Sequence, residues 1–143
     1  MTNAQKYMRD IYSRTKPGTL LHMIGRGNEV TPNRADNSTP PEQFLQASAF
    51  TMAKDKTFRP HKHITQVRTT DIAQESWIVI LGSVEATLYD LNDEVLERVV
   101  LMPGDCSITF RGGHNYRALE DNTLVYEYKT GPYQGQEKDK VFI

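Results

Sequence analysis

Two histidines one residue apart, His61-Lys62-His63, are the first pattern that could do chemistry. On a strand, residues i and i+2 point to the same side, so both imidazoles project together, about 6.6 Å apart along the strand axis. A metal ion between them is within reach of both. Pro60 suits a strand start, because it favours an extended approach and has no N–H to give to a ladder. Glu75 opens the next apolar stretch, seven positions before Gly82. His114 follows the turn Pro103-Gly104-Asp105 and the pair Gly112-Gly113. Neutral imidazole and carboxylate suit one divalent transition metal, drawn from Fe, Mn, Ni, Co, Cu or Zn. Three histidines and one glutamate leave open positions on a five- or six-coordinate ion, as a catalytic or ligand-binding metal needs.

The rest of the composition narrows the alternatives. The chain has 143 residues with four His and one Cys. One cysteine excludes an internal disulfide and any multi-cysteine zinc module, leaving nitrogen and oxygen ligands. Cys106 itself is expected to be a small buried apolar residue. His22, between Leu21 and Met23, stands apart from the other three and is expected to be a partly buried packing histidine. Lys plus Arg total 17 against 18 for Asp plus Glu, a net charge of −1. That balance gives no electrostatic case for nucleic acid or an anionic membrane as the main partner. The N-terminus has no apolar segment of secretory type, and the longest strongly apolar run is 77–81, so a cytoplasmic protein acting on a small-molecule ligand is expected. Gly25-Arg26-Gly27 is an isolated fragment of a glycine-rich loop and is not expected to bind a dinucleotide.

The elements that must position these residues are mostly strands. Tyr7 with Ile11, and Met8 with Tyr12, are i,i+4 apolar pairs that predict a helix over 3–15, stopped by Pro17-Gly18. Residues 25–42, with their glycines and prolines, predict a loop or covering arm. From Phe44 the period changes. Strands are predicted near 44–52, 57–64, 76–81, 83–90, 94–101, 106–110, 114–119 and 123–129. Turn signals fall at Lys54-Asp55, Gly82, Asn92-Asp93, Pro103-Gly104-Asp105, Gly112-Gly113 and Asp121-Asn122. The stretch 83–101 is a predicted hairpin. One helix and about eight short strands point to an all-β barrel or jelly roll, with 1–43 as a helix and arm packed on a barrel domain of 44–143. Residues 77–81 are apolar on both faces, which calls for a second sheet or a homodimer partner over the outer face. In the last strand Glu127 and Lys129 share a face, as a pocket pair or a surface salt bridge; the latter is favoured.

His61-x-His63, Glu75 with Gly82, Pro103-Gly104-Asp105 and His114 together resemble the two motifs of the cupin superfamily. The ending, Leu124 to Tyr133 followed by Lys138-Asp139-Lys140, is similar to that of WbuC-type cupin metalloproteins. The resemblance implies a double-stranded β-helix with His61, His63, Glu75 and His114 on one metal. It also implies an association with surface-polysaccharide metabolism, hence a sugar or sugar-nucleotide ligand. The stretch 64–74 is longer than in the family's compact motif. Either it is an inserted hairpin or lid, or Gln66 or Asp71 ligates in place of Glu75. Arg59, Trp77 and Tyr116 share parity with the ligands and are the expected substrate contacts. Three activities stay open: a metal-dependent isomerase, epimerase or Fe(II) dioxygenase; a non-catalytic metal-dependent binding module; and a metal-free epimerase with a histidine–aspartate base and a tyrosine acid.

Overall fold

The computed structural model describes residues 7–30 and 35–143. It is built of antiparallel strands: β1 (Met8–Tyr12), β2 (Leu20–Gly25), β3 (Ala35–Asn37), β4 (Ser48–Phe50), β5 (Glu75–Leu81), β6 (Val84–Tyr89), β7 (Val95–Leu101), β8 (Cys106–Thr109), β9 (His114–Ala118) and β10 (Leu124–Lys129). Among the described residues helix is confined to a 3-10 turn at Gly27–Glu29 and a single α turn, α1 (Gln136–Asp139). No helix among the described residues is long and apolar enough to cross a membrane. The strands form a five-stranded sheet in the order β1-β2-β8-β5-β10, a three-stranded sheet β7-β6-β9, and a ribbon β3-β4.

The main core lies between the two larger sheets. Ile11, Ile24 and Val79 from the five-stranded sheet meet Val84, Ala86, Leu88, Val99 and Leu101 from the three-stranded one, with Tyr116 and Val125 at the margin. A second cluster coats the outer face of the five-stranded sheet. There Met8, Met23, Ile108 and Phe110 are covered by Val30, Leu45, Ala47 and Ala49. On β5 the outward Ile78 and Ile80 stay half-buried.

The predicted hairpin is present as β6 and β7, with Val84 opposite Leu101 and Ala86 opposite Val99. Each predicted turn contains a residue in the left-handed region: Asp55, Gly82, Asp93, Gly104, Gly112 and Asn122. The Gly25-Arg26-Gly27 fragment serves packing. A Cβ on Gly27 would collide with the Gly104 backbone, and its N–H donates to Asp105 at 3.0 Å while Arg26 pairs with the same carboxylate at 2.8 Å.

Two predicted elements are corrected. The described part of 3–15 contains the strand β1 in place of a helix; residues 3–6 lie outside the described residues. The reason is that Met8 joins the outer cluster and Ile11 the inner one. Residues three apart share a helix face but occupy opposite faces of a strand, so only a strand serves both clusters. The chain then turns back under Asp90, whose buried carboxylate accepts from Ser13 and from the Arg14 and Thr15 N–H groups. The predicted strand 57–64 is absent, and 44–52 contracts to β4. Residues 52–72 stand exposed with no strand partner. A strand is stable only where its N–H and C=O groups find a second strand, and within this chain 57–64 meets none. The additional central strand β2, Leu20–Gly25, is buried on both faces, which explains its near-continuous apolar run.

Candidate functional site

Antiparallel pairing brings strand starts and strand ends to one mouth between the two larger sheets. Thr109, the last residue of β8, lies opposite both His22 and Glu75. Glu75, the first of β5, lies opposite Lys129, the last of β10. His114 opens β9 on the facing sheet, opposite Leu88. One row deeper stand Trp77, Ser107 and Glu127, which are register partners, with Tyr116 on β9. Deeper still the lining is apolar, with Val79 opposite Val125.

The mouth is held by hydrogen bonds that settle the state of most groups. His22 is fully buried. Its Nε2 lies 2.9 Å from the Tyr89 carbonyl, so Nε2 donates, and Nδ1 accepts from the Thr109 hydroxyl at 2.9 Å. Burial pushes the His22 pKa down to about 4, so the ring is neutral at pH 7 with both nitrogens satisfied. The sequence placed this histidine apart; the fold brings it to the mouth, where the His114 charge contributes to lowering its pKa.

His114 differs. Its Nε2 lies 3.1 Å from Glu75 Oε1, and a carboxylate can only accept, so Nε2 donates. Nδ1 is buried with no hydrogen-bond partner. In the neutral ring that atom is a lone pair with nothing donating to it. Burial works against the Glu75 charge, but the hydrogen bond from His114, the charges of His114 and Lys129, and the Trp77 N–H hold the carboxyl below its ordinary range. Glu75 is thus an anion at pH 7, and its side chain keeps 14% exposure and His114 keeps 26%. The pair can be approached from the mouth.

Trp77 and Tyr116 stack with ring centroids 4.0 Å apart and planes 11° from parallel. The indole N–H donates to Glu127 at 3.0 Å. The Tyr116 hydroxyl bonds the Ser107 hydroxyl at 2.6 Å. Burial pushes the Tyr116 phenol well above its ordinary range, so it stays protonated. Lys129 meets Glu127 at 3.8 Å and Asp139 at 3.4 Å, and its ring neighbour is Tyr133 at 4.3 Å. Glu127 and Lys129 therefore form an ion pair at the rim. Sequence parity puts both on one face but gives no sign of the Trp77 contact.

The other expected site residues lie on the exposed segment 52–72. His61 and His63 sit together, ring centroids 5.7 Å apart. His61 Nδ1 is 3.0 Å from the Arg59 carbonyl, so it donates and leaves Nε2 with its lone pair free. Arg59 thereby contributes its backbone, and its side chain is not brought to the mouth. Asp71 pairs with Arg111 at 3.1 Å, beside a cleft of about 380 Å³ that Gln43, Phe44 and Gln74 also line. Among the described residues no three of His, Cys, Asp and Glu converge on one point. The structure thus brings Glu75, Trp77, His114 and Tyr116 together and leaves His61 and His63 apart from them. Cys106 is half-buried in the outer cluster, and burial pushes its thiol up to about 11, which makes it an inert packing group at pH 7.

Of the side chains at the mouth, the ionised carboxylate and the partnerless imidazole are the metal-ligand types, two groups only, while the protonated phenol and the ammonium suit a polar or anionic small molecule. No protein-family model matches this chain, no curated protein matches it, and no solved structure matches it.

Proposed function

We propose that the chain is a metal-binding cupin, its two larger sheets forming a double-stranded β-helix of the WbuC type. In this reading the mouth holds one divalent transition metal through His61, His63, Glu75 and His114. The metal captures a small molecule, a sugar or sugar-nucleotide-related compound of surface-polysaccharide metabolism. The observation that carries the reading is the meeting of Glu75 with His114 Nε2 at the mouth, a carboxylate and an imidazole 3.1 Å apart whose shared proton a metal would replace. The free Nε2 of His61, fixed by the Arg59 carbonyl, adds to it.

When bound, such a metal supplies Lewis acidity toward a carbonyl, carboxylate or hydroxyl oxygen. The chain's own groups do the rest. Glu75 orients the His114 ring and keeps a negative charge at the mouth. Trp77 and Tyr116, from opposite sheets, stack on each other, so their faces meet and the pair gives the mouth an aromatic floor. The Tyr116 phenol donates or accepts a hydrogen bond without ionising. Lys129 attracts an anionic group and is kept charged by its acidic neighbours, which more than offset its burial.

Trp77 is the sole tryptophan of the chain, which makes the test direct. Untagged protein is analysed for metal content, and its indole emission is followed during titration with Mn²⁺, Co²⁺ and Cu²⁺. The expected result is one metal per chain, with quenched emission; His114→Ala removes both. Wild-type protein that neither carries nor takes up metal would sink the reading.

A second reading rests on the same pair. A histidine oriented by Glu75 through Nε2, with Nδ1 free, is the arrangement of a general base, and Tyr116 is a protonated partner with its ring 5.4 Å away. Epimerisation by proton removal and return would then need no metal. Turnover that survives exhaustive chelation separates it from the first.

A further inference from the structure

We infer that the segment 51–72 is an exchange arm: two copies of the chain swap these segments, and each barrel takes His61 and His63 from the other copy. This rests on the metal-site reading above and adds the source of two of its ligands.

The arm is out of place in a lone protomer. Ile64 is 83% exposed, Val67 89%, Phe58 54% and Met52 52%. Among the described residues, the hydrogen bonds of 57–68 stay within the arm, and the Phe58 ring lies edge-on to Phe50 of β4 with the Lys56 ammonium nearby. More than twenty residues of chain without secondary structure are unusual inside a compact domain. Here they carry four large apolar side chains in water and a histidine pair with a prepared lone pair. The arm is anchored at its C-terminal base, where Asp71 meets Arg111 and Gln74 bonds back to Leu45 and Thr130.

The barrel offers a complementary vacancy. Among the described residues the three-stranded sheet ends at β9, which bonds β6 on one side and pairs with no strand on the other; the Ile143 side chain lies against Gly113, just before the strand begins. An open strand edge is a template for another strand. His114, with its partnerless Nδ1, stands at the start of this edge. A strand added there completes a four-stranded sheet and places a His-x-His pair on the row that already contains His114.

Charge and symmetry favour a second copy as the donor. The arm has five cations (Lys54, Lys56, Arg59, Lys62, Arg68) against two carboxylates (Asp55, Asp71), a charge of +3; the whole chain is −1, so the remainder is −4. Arm and body thus attract each other across a dimer. Each copy has one arm and one open edge, so a two-fold exchange fills both and leaves neither exposed. The arm's middle, by contrast, stands exposed beside its own body.

The test is complementation between damaged copies. His114→Ala chains and His61→Ala/His63→Ala chains are prepared separately, mixed, unfolded and refolded together, and metal content is measured. Each variant alone is expected to be empty. The mixture is expected to regain about a quarter of the wild-type metal, since half the dimers are mixed and each contains one intact site. Light scattering should find a dimer, and deletion of 57–68 should convert it to monomer. A mixture that stays empty while wild type loads overturns the exchange and keeps the metal reading. A monomeric wild type overturns it as well. A wild type that binds no metal yet is a dimer through 57–68 overturns the metal reading and keeps the exchange.

Discussion

The two ends of the space between the larger sheets are made by the same two sheets and differ in how completely they are closed. At the deep end, Ile24, Val79, Val84 and Leu101 are at most 1% exposed and pack into one apolar cluster. At the mouth β2 and β5 supply His22 and Glu75, β8 supplies Thr109 and β9 supplies His114. The deep end needs nothing from outside. The mouth satisfies the buried His22 on both nitrogens, then leaves one nitrogen of His114 with no partner. Two histidines at one mouth, one complete and one incomplete, differ in what the chain itself gives them, and burial alone does not show that difference.

The largest effect expected from this contrast is at the deep end. Leu101→Ala removes a fully buried side chain from the row where Leu101 faces Val84. It should lower the unfolding free energy by about 2–5 kcal/mol, read from denaturant melts with an unchanged slope. A loss well under 1 kcal/mol would mean that the deep end is loosely packed, and the contrast would then fail at its simpler half.

His22 gives a slightly smaller effect with a definite pH signature. Its pKa is lowered from the ordinary 6.5 to about 4. The unfolded chain therefore takes up this proton as pH falls through 6.5, while the folded chain refuses it until about 4. Stability should drop across that window by roughly 3 kcal/mol and then level off for this group. Melts of wild type and His22→Gln at pH 7, 6, 5 and 4.5 isolate the contribution, because Gln does not titrate. Equal pH slopes in the two proteins would place His22 among solvated groups and remove it from the complete half of the mouth.

What could be read from the sequence follows how local each determinant is. The turns at Asp93, Asn122, Gly82 and Gly104 announce themselves because each needs a residue that tolerates the left-handed region. The hairpin β6–β7 follows from its alternation and its Asn-Asp turn. The pairing of Glu75 with His114 and the stack of Trp77 on Tyr116 agree with the strand parity that set these residues facing the same interior. Other features depend on distant partners. The spacing of Tyr7, Met8, Ile11 and Tyr12 suits a helix in isolation, and only the two separate clusters on either side of β1 make it a strand. His22 looks unconnected because its partners, Tyr89 and Thr109, are 67 and 87 positions away. The segment 57–64 has strand-like parity, but a strand also needs an edge to join, and that edge is not part of its own local sequence.

The smallest effect concerns which carboxylate belongs to the mouth. Asp71 and Glu75 are both near enough in sequence to complete a metal site with the histidines, yet they have different surroundings. The Asp71 side chain is 76% exposed and its partner Arg111 46%, at 3.1 Å; such a surface pair is worth about 0–1 kcal/mol and weakens with salt. Glu75 is the carboxylate against His114, held ionised by its neighbours. Asp71→Asn should therefore change the melting midpoint by no more than the loss of one screened pair, a difference that vanishes in high salt, and should leave Trp77 quenching by metal intact. Glu75→Gln keeps the shape of the side chain but removes its charge, and should abolish that quenching while His22 stays paired. The reverse outcome, metal lost with Asp71→Asn and kept with Glu75→Gln, would assign the ligand to the arm's base. The Glu75–His114 pair would then be a structural contact like that of His22, and the two halves of the mouth would no longer differ.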